Sequence, residues 1–250
     1  MNMRKLFITG TDTDVGKTEV ATLLLKAMAQ VGLETAAMKP IAAGCENGPD
    51  GQLLNSDALK LQAAATLQLP YEKVNPFAFA EPIAPHIAAM MSRSYSEKPS
   101  GEQFLGTTGL NVSQLLKHWQ NLAALDADVL LTEGAGGWQL PINALEDMPS
   151  FVQRANMDVV VVVGMRLGCL NHALLTIAAI QALGLKVAGW VANQVSSNIM
   201  PYYSENIATL RSRINAPLLA EVPYFAEAQR DEAQREWLQK QNWLSQLALA

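Results

Sequence analysis

Gly10-Thr-Asp-Thr-Asp-Val-Gly-Lys-Thr18 brings a glycine turn, a lysine and a hydroxyl together in one short stretch. The apolar run Leu6-Phe7-Ile8 precedes it, and Val20, Leu23, Leu24, Ala27, Met28 and Val31 follow at helical spacing. Strand, loop and helix in that order are the setting a phosphate-binding loop requires. Glycines let successive main-chain N–H groups and the positive end of the following helix converge on one cluster of phosphate oxygens. In such a loop Lys17 spans the terminal phosphates and the Thr18 hydroxyl holds Mg2+. The spacing is one residue longer than the usual GxxxxGK[ST], with Thr11 where the first glycine normally stands.

Outward from this loop, apolar runs without alternation recur at 6–8, 35–38, 129–131, 159–163 and 187–191. Such runs suit parallel strands covered on both faces. Helical patterns cover 18–31, 56–66, 112–125, 171–183, 202–214 and 231–247. This alternation predicts an α/β fold: a doubly wound, mostly parallel sheet flanked by helices, in one domain spanning 1–250. Residues 92–111 are rich in Ser, Gly and Thr without clear period and read as an exposed connection.

In a doubly wound sheet the ligand crevice lies beyond the carboxyl ends of the strands, which directs attention to Gly10, Lys39, Glu133, Gly164 and Asn193. Glu133 precedes Gly134-Ala135-Gly136-Gly137, a turn compact enough to approach a ligand, and its carboxylate is suited to completing a Mg2+ shell. Asp57, after Asn55-Ser56, is open to two readings, helix cap or ligand. Lys39, followed by Pro40, either reaches solvent or neutralises an anion in the crevice it shares with Lys17. Gly164-Met-Arg-Leu-Gly-Cys-Leu-Asn171 again joins strand to helix, either to bind a carboxylate or merely to turn the chain.

The balance of 18 basic against 23 acidic residues, net −5, gives no electrostatic footprint for nucleic acid or an anionic membrane. Cys45 and Cys169 have no zinc-ligand or CxxC spacing and read as free thiols. His86, His118 and His172 are scattered, and no GxSxG motif is present. Without an export signal or a run of roughly twenty apolar residues, a cytoplasmic soluble protein is expected.

Taken together, the motifs resemble the dethiobiotin synthetase family along most of the chain. The resemblance rests on the 10–18 loop with its longer spacing, Met38-Lys-Pro40, Asn55-Ser-Asp57, Asn75-Pro76, Glu81-Pro82 with Pro85-His86, Glu133-Gly-Ala-Gly-Gly-Trp138, residues 164–172, and Ala188-Gly-Trp-Val-Ala-Asn193. It implies an ATP- and Mg2+-dependent ligase that closes the ureido ring of dethiobiotin from 7,8-diaminopelargonate and CO2 or bicarbonate, through a carbamate and its phosphorylated form. Lys17 and the amides of Asp14, Val15, Gly16, Lys17, Thr18 and Glu19 would then hold ATP. Glu133, Gly134, Ala135 and Gly136 would line its phosphates, with Mg2+ on Thr18, Asp57 and Glu133.

The same resemblance makes Lys39 the active-site lysine, with Lys17 and Thr13 beside it. Asn193, Gln194, Pro223, Tyr224 and Phe225 would form the base pocket. Ala43 lies at the substrate, whose carboxylate is received by Gly168, Cys169, Leu170 and Asn171 of the neighbouring subunit, so a homodimer is implied. Three features depart from the family pattern: Ala43 stands where serine is common, Gln194 where aspartate is common, and residues 92–108 read as an insertion. The competing reading is a partition or positioning ATPase of the MinD/ParA kind. Those proteins carry a second lysine early in the loop, where this chain has Asp12. A cobyrinate- or cobyrate-type amidotransferase would need a further glutaminase domain.

Overall fold

A computed structural model describes residues 3–94 and 110–249, with the side chains of 92–94 left aside. Residues 95–109, most of the expected 92–111 connection and 92–108 insertion, lie outside the described residues.

The strands are β1 (Arg4–Gly10), β2 (Thr35–Met38), β3 (Ile41–Ala43), β4 (Glu46–Asn47), β5 (Leu53–Leu54), β6 (Phe77–Phe79), β7 (Val129–Glu133), β8 (Asp158–Gly164), β9 (Val187–Asn193) and β10 (Leu218–Val222). Helices α1 (Lys17–Gln30), α2 (Ser56–Ala64), α3 (Tyr71–Val74), α4 (Pro85–Ser94), α5 (Val112–Ala123), α6 (Met148–Ala155), α7 (Cys169–Ala182), α8 (Tyr203–Arg213), α9 (Arg230–Leu238) and α10 (Trp243–Gln246) lie between and after them. Six strands form one parallel sheet in the order β10-β9-β8-β1-β7-β2.

The unbroken valine run of β8 shows why the strands lack polar alternation. Val159, Val161 and Val163 face one core, with Leu115 and Trp119 of α5, Phe151 of α6 and Ile177 of α7. Val160 and Val162 face the opposite core, with Leu23 and Leu24 of α1, Leu61 of α2 and Trp243 of α10. Period-2 geometry sends successive side chains to opposite faces, and both faces are dry. Strand order reverses at β1, which lies between β7 and β8, so the crevice opens at its carboxyl end. The register aligns the strand ends there: Ile8 pairs with Glu133, Gly10 with Val162, and Gly164 with Asn193.

Eight elements, β3, β4, β5, β6, β10, α3, α4 and α6, fall outside the expected strands and helices, and one expected helix is divided. β10 is an edge strand interrupted by exposed Glu221, which breaks the apolar run that marks the inner strands. α6 is only eight residues long, and its start is set by the Asp147 cap, whose carboxylate accepts from Ser150 N. The helix expected over 231–247 is two, α9 and α10, parted at the polar stretch Gln239-Lys-Gln-Asn242. α4 extends through Ser94, three residues into the stretch read as connection.

Candidate active site

The 10–18 loop closes over the end of β1. Gly16 is in the left-handed region (φ 86°, ψ 32°) and caps α1. A Cβ there would lie 2.1 Å from Asn193 Nδ2. That amide nitrogen donates to the Val15 carbonyl at 2.9 Å, tying the end of β9 to the loop. At Gly10 a Cβ would meet Val15 Cγ2 at 2.5 Å, so the early glycine is needed for the loop to fold back on itself. Lys17, only 7% exposed, donates to the Asp12 carbonyl at 3.0 Å. Burial pushes its ammonium below the ordinary lysine value, the nearby Glu133 charge only partly opposing this. An anion placed against the loop would relieve that cost.

Beneath the loop, Lys39 is the centre of an ionic cluster. It is 4% exposed, and its Nζ lies 2.8 Å from Asp57 Oδ2 and 2.5 Å from Glu133 Oε1. Thr18 Oγ1 donates to the same Glu133 oxygen at 2.9 Å. Of the two readings of Lys39, the solvent-reaching one does not hold. Its backbone is fixed by Asn75, whose Nδ2 donates to the Lys39 carbonyl at 2.7 Å, and by Lys39 N donating to Val74 O at 2.8 Å. The cap of α2 is Asn55, whose Oδ1 accepts from Asp57 N and Ala58 N, both at 3.1 Å. Asp57 is thereby released from capping and turns its carboxylate to Lys39.

Glu133 is fully buried, and its Oε2 has no hydrogen-bond partner among the described residues. A buried carboxylate oxygen left unpaired is costly. This orphan oxygen, the Asp57 carboxylate and the Thr18 hydroxyl make an all-oxygen donor set that fits Mg2+, which takes one or two carboxylates together with substrate phosphates. Among the described residues no group of three or more His, Cys, Asp or Glu side chains is placed to hold a metal.

The cluster has a pH signature. Burial works against the Asp57 carboxylate, but Lys39 outweighs it and holds the group below the ordinary carboxylate value. Burial likewise works against the Lys39 ammonium, but Glu133 and Asp57 outweigh it and hold the lysine above its ordinary value. A depressed carboxylate stabilises the fold above its unfolded pKa, and the contribution is lost as pH falls through the folded one. A raised lysine stabilises below its unfolded pKa, and that is lost as pH rises through the folded value. Thermal melts of Asp57→Asn should therefore lose stability relative to the parent at neutral pH, with the difference shrinking below about pH 4. A difference that stays constant down to pH 2 would contradict this pairing.

A cleft of about 870 Å3 adjoins the cluster. Thr13, Asp14, Gly16, Lys17, Thr18, Lys39, Ala43, Asp57, Ala135 and Gly136 line it, and Pro82, Ile83 and Leu140 add apolar wall. Glu133 lies under this surface. Gly134 is tucked against Phe7, on which Trp138 stacks edge-on at 6.1 Å, so an aromatic anchor holds the 134–137 turn. Glu19, Asn193, Gln194, Pro223, Tyr224 and Phe225 line a separate hollow beside the loop, joined by Asp14, Gly16 and Arg230.

Gly168, Cys169, Leu170 and Asn171 line neither space in their own chain. They open α7 with Gly168 in the left-handed region, and neighbouring Leu167 is 97% exposed. Cys169 N donates to the Arg166 carbonyl at 3.0 Å, so the amides of Leu170 and Asn171 are those left to an outside acceptor at this helix start. The Cys169 and Cys45 thiols are buried and free, and burial pushes both up in pKa. Neither is a nucleophile at neutral pH.

Sequence reasoning missed three parts of this arrangement. One is the Asn55–Tyr71–Asn75 network, in which Tyr71 Oη accepts from Asn55 N and donates to Asn75 Oδ1. The second is the Asn193 bond to the loop. The third is an ion pair between Arg166 and Asp12 at 2.7 Å. For Asn55 and Asn75 the signal was present, since both stood within motifs already singled out.

A family model described as an AAA domain matches residues 4–232. The ATP-dependent dethiobiotin synthetase BioD of Cellvibrio japonicus is 47% identical over 233 residues, covering 93% of this chain and 95% of that protein. The protein of the same name from Pseudoalteromonas translucida is 46% identical over 222 residues, 89% of this chain and 91% of that one. That of Vibrio vulnificus is 42% identical over 230 residues, 92% and 94% respectively. Identity at this level along almost the whole length of both chains, with the loop, lysine and carboxylates gathered at one sheet edge, means that the chain belongs to the dethiobiotin synthetase family.

Proposed function

We infer that this chain is an ATP- and Mg2+-dependent ligase that closes the ureido ring of dethiobiotin from 7,8-diaminopelargonate and CO2 in biotin biosynthesis. The observation that carries the reading is the buried Lys39 ammonium held between Asp57 and Glu133 directly under the phosphate-binding loop. Binding the triphosphate falls to Lys17 and to the amides of residues 14–19, with the turn at Gly134, Ala135 and Gly136 alongside. Thr18, Asp57 and Glu133 would hold Mg2+, which supplies positive charge against the phosphate oxygens.

The substrate amine takes up CO2 and loses a proton to give a carbamate, whose oxygen attacks the γ-phosphorus and breaks its bond to the bridging oxygen, so that ADP leaves. The second amine then displaces phosphate and closes the ring. No enzyme nucleophile is required. Lys39 faces the carbamate and its phosphorylated form, Lys17 the transferred phosphoryl group, and Thr13 and Ala43 the diamine. Catalysis is then positioning and electrostatic stabilisation in a site where burial strengthens each charge. In the base hollow, Asn193 has its amide nitrogen committed to Val15, which leaves its oxygen to accept from an exocyclic amine such as that of adenine. Gln194, Pro223, Tyr224 and Phe225 enclose the ring.

The substrate carboxylate would be received by the 168–171 helix start of a second copy, making the active unit a homodimer. Its support is the surface around that helix start: Leu167, Leu175, Ile199 and Tyr202 are 97%, 63%, 65% and 75% exposed. The starts of α7 and α8 adjoin through the contact of Cys169 Sγ with Asn206 Oδ1. Solvent-facing apolar side chains in such number suit a covered face. No helix among the described residues is long and apolar enough to cross a membrane.

Phosphate release tests the activity. It should require diaminopelargonate and bicarbonate together and yield dethiobiotin in equal amount. ATP hydrolysis at the same rate without the diamine would instead point to a nucleotide-driven switch.

A further inference from the structure

Arg166 lies in the turn between β8 and α7, two residues ahead of the helix start, yet its side chain reaches back to the phosphate-binding loop of its own chain. Its Nη2 donates to Asp12 Oδ2 at 2.7 Å. The other Asp12 carboxylate oxygen accepts from Thr13 N at 2.8 Å, and the Asp12 carbonyl accepts from Lys17 Nζ at 3.0 Å. At its other end, Arg166 N donates to Gly164 O at 2.9 Å and its carbonyl accepts from Cys169 N at 3.0 Å. An unbroken path of hydrogen bonds therefore runs from the phosphate-binding lysine, through Asp12 and Arg166, to the first amide of α7.

From this path we propose that Arg166 is a positioning residue for the neighbouring subunit's active site: anchored on Asp12, it sets the carboxylate-receiving turn that its own chain offers to the other copy. The inference rests on the shared-site reading above. Its physical basis is the position of the pair. Asp12 and Arg166 side chains are 48% and 44% exposed, and a half-exposed ion pair adds little to global stability. The turn is tied to β9 at its start, where Met165 N donates to Asn193 O at 2.8 Å; what the Arg166–Asp12 pair adds is the hydrogen bond that joins its outer part, residues 166–168, to the phosphate-binding loop. Lys17 Nζ donates to the Asp12 carbonyl, a bond it would give up on moving onto phosphate oxygens. The contact to Arg166 is where such a change reaches the turn.

Mixed dimers, purified through two different affinity tags, separate action on the chain's own site from action on its neighbour's. One subunit carries Lys39→Ala and is inactive, so all turnover comes from the other. Arg166→Met placed on the inactive subunit should raise the diamine KM of the active site by about five-fold, the lower range of inter-site coupling, with kcat and the KM for ATP kept. Arg166→Lys in the same place should restore most of the affinity. Arg166→Met placed on the active subunit should leave its diamine KM near the parent value.

A rise that follows the active subunit would overturn the proposal, as would no rise in either arrangement. A reference pair that sediments as monomers would refute the shared site and this inference together, whereas a dimer of normal mass without a KM shift refutes the role of Arg166 alone.

Discussion

Lys39→Ala is expected to reduce turnover by at least about 10³-fold while changing nucleotide affinity only a few-fold, because the lysine faces the reacting carbamate and Lys17 with the loop amides carries the phosphates. The same substitution should be felt in the resting protein. Glu133 is fully buried and shares one oxygen between Lys39 and Thr18. Without the ammonium, two carboxylates face each other at the floor of the cleft with only a hydroxyl donor between them. Removing one partner of a buried pair costs about 3–5 kcal/mol, since the remaining charge is left uncompensated. A divalent cation held with nucleotide would supply the missing charge. The variant should therefore melt well below the parent alone and gain more than the parent on adding ATP with Mg2+. Phosphate release, calorimetric nucleotide titration and thermal melts with and without Mg2+ check the three parts. Near-normal turnover would remove Lys39 from the chemistry, and equal melting temperatures would mean that Glu133 does not depend on it.

How far this site was legible in the chain depends on distance along it. The loop, the strand before it and the helix after it are local, and each was readable from spacing alone. The other five strands of the main sheet were also legible, because a strand buried on both faces, as edge strand β2 also is, leaves an uninterrupted apolar run. β10, with Glu221 turned to solvent at the sheet edge, carried no such signal. The contact of Lys39 with Glu133 joins residues 94 apart. It is set by strand register, Met38 opposite Thr132, which places the two following residues side by side at the sheet edge. Apolar pattern identifies the strands but not their order, so it left Lys39 open between solvent and site. For Asp57 the ambiguity was local: Asn55, Ser56 and Asp57 are all competent caps, and only the backbone geometry assigns the role to Asn55. Arg166, 154 residues from Asp12, had no sequence signal of pairing.

Gly16→Ala is expected to weaken nucleotide binding at least about 100-fold and to destabilise the protein by about 2–3 kcal/mol, through two separable effects. The left-handed backbone at φ 86° costs a residue with a Cβ about 1 kcal/mol. The new methyl would also stand 2.1 Å from Asn193 Nδ2, a short side chain that is 5% exposed and bonded to Val15. It cannot swing aside without giving up that bond, worth about 1 kcal/mol. Displacing Val15 also moves the loop amides, and a shift of about 1 Å at such a site is enough for a 100-fold loss. Gly32→Ala isolates the first effect: its φ is 81°, and a Cβ there meets nothing within 4 Å. That variant should lose about 1 kcal/mol and bind nucleotide normally. Asn193→Ala combined with Gly16→Ala relieves the second effect, so the pair should be non-additive and recover part of the affinity for inorganic tripolyphosphate, a probe with no base to engage the Asn193 amide. If the double variant binds tripolyphosphate no better than Gly16→Ala alone, backbone strain rather than the crossing of β9 onto the loop is what demands glycine at this position.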